Sequence, residues 1–143
     1  MPYYGLTLEM DGLHMYNGVD NDTVLMASPT QTWSFYERCP MIQDHQDILD
    51  RTWDFANKRA ARTIIMRMDA NNYVIVTATS SRGITLCDAV DWIHEQFDPE
   101  WCYDLDGGTS SALISRKVGK KTLKVVYGNK SKDADIMAFT ELN

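Results

Sequence analysis

Several marks of common protein classes are missing from this sequence. Its three cysteines, Cys39, Cys87 and Cys102, form no CxxC motif and no cysteine–histidine set at the spacing of zinc ligands. An odd cysteine count without such spacing predicts free thiols, and it argues against a disulfide framework or a zinc site. The three histidines have no nucleophile or ligand partner at an informative spacing, so we expect no histidine chemistry.

Long apolar runs and a leader segment are also lacking. No run approaches the roughly 20 apolar residues that a membrane-spanning helix needs. The first five residues, MPYYG, lack the basic and apolar regions of a secretion signal. We therefore expect a soluble protein that has no signal peptide and makes no membrane contact.

Basic residues are outnumbered by acidic ones. The chain has 14 lysines and arginines against 20 aspartates and glutamates, which gives a net charge of −6 at pH 7. Proteins that bind nucleic acid through electrostatic attraction usually have a basic surface. We therefore expect no nucleic-acid partner.

The apolar content is sufficient for one hydrophobic core. The chain has 143 residues, of which 44% are hydrophobic, and this is about the size of one ordinary domain. No repeat, linker or low-complexity segment divides the sequence. Residues 1–143 are therefore predicted to form a single domain.

Alternating or β-branched runs separated by turn signals predict that most of the chain is extended. Asp11-Gly12 joins an opening hairpin, and the polar residues 69–72 join a second one. Residues 111–116 are predicted to pair with the strand before the glycines. The predicted strands are 5–10, 13–16, 23–27, 32–36, 63–68, 73–79, 101–105, 111–116, 122–127 and 136–142.

Two helices are predicted from apolar residues at helical spacing. The first covers residues 44–58, where Ile48, Leu49, Trp53 and Ala56 recur at that spacing. The second begins after Thr85, which is suited to cap it, and ends near residues 98–99. The predicted class is α+β, with two main helices against a mostly antiparallel sheet.

The most chemically dense stretch of the chain is 103–114. Alternation along a strand places the side chains of Asp104 and Asp106 on one face, and Gly107-Gly108 allows a ligand to approach the main chain closely. A sugar or anion site is one reading of this pattern. A plain Asp-Gly hairpin turn is a second. A calcium loop is a third, although the ligand spacing of an EF-hand is absent.

Three segments in order along the chain resemble a known family: Arg62-Thr63, Ser81-x-Gly83-Ile84-Thr85-Leu86, and Leu105-Asp106-Gly107-Gly108-Thr109-Ser110-Ser111. The set spans about residues 62–114 and is similar to the core of the phosphodiester glycosidases, a family that includes the enzyme that uncovers mannose 6-phosphate by removing N-acetylglucosamine. Compact versions of this core resemble those encoded by bacteriophages. The resemblance therefore implies a reduced, phage-type version with a location in the host cytoplasm or the virion.

The resemblance also implies roles for particular residues. Asp106 matches the acidic residue before the glycines and is expected to be catalytic. Asp104, a second carboxylate in the site, is the other expected catalytic residue. The residues expected to bind substrate are Arg62, Arg82, Gly107, Gly108, Thr109, Ser110 and Ser111. The chain departs from the family in three respects: Thr109 replaces a third glycine, Asp104 stands where an asparagine is typical, and the family's amino-terminal Asn-Gly-Gly-aromatic segment has no convincing counterpart.

The expected function is hydrolysis of a sugar 1-phosphodiester or a related glycosidic bond. Closely set carboxylates suit that reaction, because one of them can hold a proton and act as an acid. If both carboxylates instead bind a divalent cation, their oxygens suit calcium or magnesium. The alternative function is a non-catalytic saccharide-binding or structural, virion-type protein. The expected partners are a sugar phosphodiester or glycan and other virion proteins.

Overall fold

The computed structural model describes residues 2–34, 39–79, 81–105, 107–108, 111–116, 119, 121–128 and 137. Strands predominate in this part of the chain. In order, the elements are β1 Tyr3–Glu9, β2 Gly12–Val19, α1 Asn21–Met26, β3 Gln31–Ser34, β4 Pro40–Gln43, β5 Gln46–Asp47, a 3-10 helix Asp54–Asn57, β6 Arg62–Asp69, β7 Asn72–Ala78, α2 Leu86–Gln96, β8 Trp101–Asp104, β9 Ala112–Arg116 and β10 Leu123–Gly128.

A five-stranded antiparallel sheet, in the order β5-β4-β8-β6-β7, forms the centre of the fold. Both of its faces are covered. Successive side chains of a strand point to opposite sides, so the strands of this sheet contribute to two separate cores. One face packs against α2 through a core that includes Ile64, Met66, Val90, Ile93 and Cys102. The other face packs against a second sheet through a core that includes Leu6, Leu13, Ile65, Trp101 and Tyr103.

The second sheet has the order β2-β1-β3 and is also antiparallel. Strands β2 and β3 lie on either side of β1, and both run antiparallel to it. The connection from β2 to β3 therefore passes across β1, and it contains α1. Among the described residues, β9 and β10 form a separate two-stranded antiparallel sheet. The α+β class with a mostly antiparallel sheet is thus confirmed, as are the hairpins β1–β2 and β6–β7.

Helix α2 begins where the sequence predicts. The Oγ1 atom of Thr85 accepts a hydrogen bond from the amide of Asp88 at 2.9 Å, which satisfies one of the free amides of the first turn. The apolar residues at helical spacing are buried: Leu86, Ala89, Val90 and Ile93. No helix in the described part of the chain is both long and apolar enough to cross a membrane.

The predicted helix 44–58 is wrong. After β4, the chain there forms a turn at Asp44-His45, the short strand β5 and the 3-10 helix. Two aspartate side chains bond to nearby amides instead of leaving them to a helix: Asp47 accepts from Leu49 at 2.9 Å, and Asp50 accepts from Thr52 at 3.0 Å. Such local bonds compete with helical ones. The start of the segment is held to the sheet because β5 pairs with β4, which in turn pairs with β8.

The predicted strand 23–27 is also wrong, because most of this segment belongs to α1. Asp20 precedes the helix, and its Oδ1 atom accepts a hydrogen bond from the amide of Thr23 at 2.9 Å. Aspartate is among the preferred residues at this capping position. Val24 is the one residue of α1 that is buried, so capping and a single anchor define a helix that has little apolar periodicity.

The predicted pairing of 111–116 with 101–105 is a third error. Both edges of β8 are occupied, one by β4 and the other by β6, so its backbone groups have no capacity for a further strand. Strand β9 pairs instead with β10. Of the predicted strand 136–142, only Met137 is described, and it packs against the core between the two sheets.

Candidate functional site

The region that the sequence singles out lies at one edge of the central sheet. Strand β6 begins at Arg62 and the antiparallel strand β8 ends at Asp104, so the two termini meet. Asp104 pairs in register with Ile64, two residues after Arg62. Because side chains two residues apart share a face, Arg62 and Asp104 both lie on the face that α2 and the 3-10 helix cover.

Arg62 and Asp104 form a buried ion pair. The Nη1 atom of Arg62 is 3.4 Å from Oδ2 of Asp104, and the two residues are only 1% and 3% exposed. The Nη2 atom of Arg62 donates hydrogen bonds to the carbonyls of Phe55 at 3.2 Å and Lys58 at 3.0 Å. Its guanidinium carbon lies 4.2 Å from the centroid of the Phe55 ring. Arg62 thus ties the 3-10 helix to the sheet.

The surroundings of this pair are shielded from water. Burial raises the pKa of the Cys102 thiol well above its ordinary value, and the nearby Asp104 carboxylate raises it further. Cys102 itself is fully buried. A charge pair in such surroundings interacts more strongly than one at the surface, but each member also loses more hydration.

The glycine turn packs directly beside Arg62. The amide of Gly108 donates a hydrogen bond to the carbonyl of Ala61 at 2.9 Å, and a Cβ atom at Gly107 would lie 2.9 Å from that same carbonyl oxygen. Gly108 has a φ of +64°, a conformation that favours glycine. The amide of Ser111 donates to the carbonyl of Gly108 at 3.4 Å, and Ser111 is buried.

The loop before α2 also contacts the chain just before Arg62. Ala60 and Ile84 exchange two backbone hydrogen bonds, of 3.3 and 3.0 Å. Gly83 has a φ of +59°, and a Cβ atom there would lie 2.9 Å from the amide nitrogen of Ala60. Residues 60–62 are therefore in contact with the loop on one side and adjoin the glycine turn on the other.

The site residues predicted from sequence fall into three groups. The structure brings together Arg62, Asp104, Gly107, Gly108 and Ser111. Arg82 is exposed in the loop before α2, next to the Gly83 that contacts Ala60. The remaining three, Asp106, Thr109 and Ser110, lie outside the described residues.

The geometry limits what each described residue can do. The Arg62 guanidinium is occupied by one carboxylate and two carbonyls, whereas the exposed Arg82 leaves its charge at the surface. The amide of Gly108 is already bonded to Ala61, so it does not point at a ligand. A guanidinium 3.4 Å from the Asp104 carboxylate disfavours a divalent cation at that carboxylate by charge repulsion.

A second cluster of ionisable side chains was missed by the sequence reasoning. The ligand-capable atoms of Glu9, Asp11 and His14 all lie within 4.8 Å of one another, and Nε2 of His14 is 2.7 Å from Oδ1 of Asp11. Nη1 of Arg67 lies 3.4 Å from the same His14 nitrogen, which disfavours a cation there. The signal in the sequence was the tight hairpin of β1 and β2, which brings residues 9–14 together.

Glu9 in this cluster is also engaged by two hydroxyl groups. Its Oε1 atom accepts hydrogen bonds from Thr7 at 2.6 Å and from Tyr16 at 2.8 Å. Burial, followed by the hydrogen bond to Glu9, raises the pKa of Tyr16 to about 12. The cluster is best described as an internal hydrogen-bond network of the β1–β2 hairpin.

A scan against models of known protein families found no match, and a search of curated proteins found none either.

Proposed function

We propose that this protein hydrolyses a sugar 1-phosphodiester or a related glycosidic bond at the sheet edge where β6 begins. One observation supports the proposal: the three segments that carry the family resemblance, though distant in sequence, meet at residues 60–62. Arg62 lies there, Gly83 contacts Ala60, and Gly108 bonds to Ala61. A common location is what a shared site requires.

Within this proposal the two carboxylates have different tasks. Asp106 acts as the acid or base at the leaving oxygen, as the resemblance implies. Asp104 is buried and paired with Arg62, so it acts as a positioning residue that holds Arg62 at the start of β6. Arg82, which is exposed, supplies positive charge for the phosphate, and the hydroxyls of Thr109 and Ser110 supply further hydrogen bonds.

The proposal is tested with purified protein and a chromogenic sugar 1-phosphodiester, in chelator and then with calcium or magnesium. We expect turnover by the unmodified protein and a loss of at least about 100-fold in Asp106→Asn, because removing a general acid or base typically costs that much. The matched control is Asp98→Asn. Asp98 is an exposed carboxylate that bonds to His45 near the start of β8, and this variant should keep full activity. Turnover no higher in the unmodified protein than in Asp106→Asn would reject the proposal for this substrate class.

The second candidate is a non-catalytic saccharide-binding or structural, virion-type protein. The burial of Arg62 and Asp104 favours it, because a pair that is 1% and 3% exposed works as a structural link without any substrate. Calorimetric titration with glycans and sugar phosphates separates the two candidates. Binding of equal strength by the unmodified protein and Asp106→Asn, without turnover in either, would favour the non-catalytic function.

A further inference from the structure

The β9–β10 hairpin exposes a group of apolar side chains. Ile114, Val125 and Val126 are 53%, 59% and 55% exposed. Ile114 and Val125 are direct partners in the antiparallel register, so their side chains share one face. Val126 is the additional residue at a bulge in β10. These three side chains form what we call the hairpin patch.

The hairpin patch belongs to neither hydrophobic core of the described residues. The two strands form a sheet of their own and, within the described part of the chain, bond to no third strand. A two-stranded hairpin alone is only marginally stable in water. Apolar side chains on such an element are typical of a surface that another molecule covers.

The hairpin also differs in charge from the rest of the chain. Residues 112–128 contain five basic residues and no acidic one. Subtracting these five from the chain's 14 leaves nine basic against 20 acidic residues elsewhere. Lys121 and Lys124 are both exposed. A basic hairpin on an otherwise strongly acidic chain is electrostatically complementary to the remainder of a second copy.

A matching surface lies on and beside α1. Leu25 and Met26 are 69% and 85% exposed, and neither belongs to a core. Asp20 and Asp22 are exposed next to them and contribute to a recess lined also by Pro2, Gly18 and Asn21. Hydrogen bonds from Thr23 lower the pKa of Asp20, so its carboxylate is ionised at neutral pH. We call this surface the α1 patch.

We propose that the hairpin patch of one copy docks on the α1 patch of a second copy of this chain. The apolar side chains of both patches cover one another, while Lys121, which precedes β10, approaches Asp20 and Asp22. Lys124 lies on the opposite face of β10 from Val125, so it adds attraction at longer range. Because the two surfaces differ, the contact is head-to-tail, and repeating it produces either a closed ring or an open chain of molecules. This inference concerns assembly and is independent of the proposed catalytic activity.

The first test measures the mass of the full chain by sedimentation velocity over a range of concentrations at low and high salt. We expect oligomers that grow with concentration and dissociate at high salt, since salt screens exposed charges. Val125→Asp and, separately, Met26→Asp should each weaken association at least about tenfold. The matched control is Ile48→Asp, at a residue 38% exposed outside both patches, and it should associate like the unmodified protein.

The second test exchanges the charges. Lys121→Glu/Lys124→Glu and, in another copy, Asp22→Lys should each associate poorly alone, and an equimolar mixture should recover association, because each copy then offers a complementary partner. A monomer at every concentration in low salt would overturn the proposal. Association that Val125→Asp abolishes but Met26→Asp and Asp22→Lys leave unchanged would also overturn it, because the hairpin would then dock elsewhere.

Discussion

Arg62 is the residue through which the sheet edge, the 3-10 helix and Asp104 are connected. It donates to the Asp104 carboxylate and to the carbonyls of Phe55 and Lys58. A buried ion pair contributes little net stability compared with well-packed apolar residues, but removing one partner leaves an uncompensated charge. The two members are therefore expected to matter most when only one of them is changed.

Replacing Asp104 tests this coupling. Asp104→Asn should lower the free energy of unfolding by about 3 kcal/mol, because the Arg62 guanidinium would stay buried without its counter-charge. The loss in Arg62→Met/Asp104→Asn should be smaller than the sum of the two single losses. Urea unfolding measures the free energy of unfolding of the unmodified protein, of the single variants Arg62→Met and Asp104→Asn, and of the double variant.

The control for this cycle is Arg82→Met. Arg82 is exposed, so the change should alter the free energy of unfolding by no more than about 0.5 kcal/mol. An Asp104→Asn protein as stable as the unmodified one would show that the ion pair has no structural role.

The raised pKa of Cys102 predicts that the stability of the protein depends on pH in the alkaline range. The pKa of this thiol is raised by burial and by Asp104, so the folded state keeps the thiol proton at pH values where the unfolded state loses it. Stability is therefore fully present below the ordinary thiol pKa of 9.0 and falls as pH rises above it, by up to about 1.4 kcal/mol per pH unit. Urea unfolding between about pH 9 and 10, in the presence of a reductant, measures this slope.

The control for the thiol is Cys102→Ala, which should show a flatter dependence over the same range. Tyr103 also has a pKa raised mainly by burial, but its ordinary value is 10.0, so it contributes chiefly above this range. Equal slopes in the two proteins would assign the alkaline loss of stability to other groups.

At the scale of elements, the sequence predicted an element correctly where the element's own residues determine it, and wrongly where pairing with a distant strand determines it. Helix α2 follows from its own residues, because Thr85 caps it and its apolar positions recur at helical spacing. The segment 44–58 shows a similar periodicity, yet its start forms β5 and pairs with β4, and β4 pairs with β8 more than fifty residues away. The predicted partner of β9 was wrong for the same reason, since β4 and β6 occupy both edges of β8.

In the candidate site, too, some features follow from the local sequence, and others depend on distant segments. Arg62, Asp104 and the two glycines were found from residue type and resemblance, and they do come together. That Arg62 would bond to Phe55 and Lys58 could not be predicted while those residues were assigned to a long helix. The burial of the ion pair depends on how α2 and the 3-10 helix cover the sheet, which only the folded arrangement of distant segments determines.

The contact between the loop before α2 and Ala60 can be tested with glycine substitutions. Gly83→Ala should destabilise the protein by about 2 to 4 kcal/mol, because it combines left-handed backbone strain with a clash against the Ala60 amide. Gly119→Ala is the matched control. Gly119 has a φ of +75°, and a Cβ atom there would have no neighbour within 4 Å among the described residues, so only the backbone strain of about 1 kcal/mol applies. Equal losses in thermal or urea unfolding would mean that the clash is relieved at no cost.

At the scale of the whole molecule, the candidate site and the two patches rest on different parts of the fold. The site lies at the end of the central sheet where β6 begins and β8 ends, next to the loops. The hairpin patch and the α1 patch lie outside both cores. Substitutions in the patches should therefore change association without changing turnover, and substitutions at the site should do the reverse.

The most direct test of the proposed activity follows the bond that breaks. The purified protein is incubated with a sugar 1-phosphodiester in ¹⁸O-labelled water, and the products are analysed by ³¹P NMR and mass spectrometry. Glycosidic hydrolysis cleaves the bond between the anomeric carbon and oxygen, so we expect ¹⁸O in the released sugar and an unlabelled phosphomonoester. Label in the phosphate would show cleavage of the phosphorus–oxygen bond, and an unchanged substrate would show no hydrolysis. Either result would contradict the account.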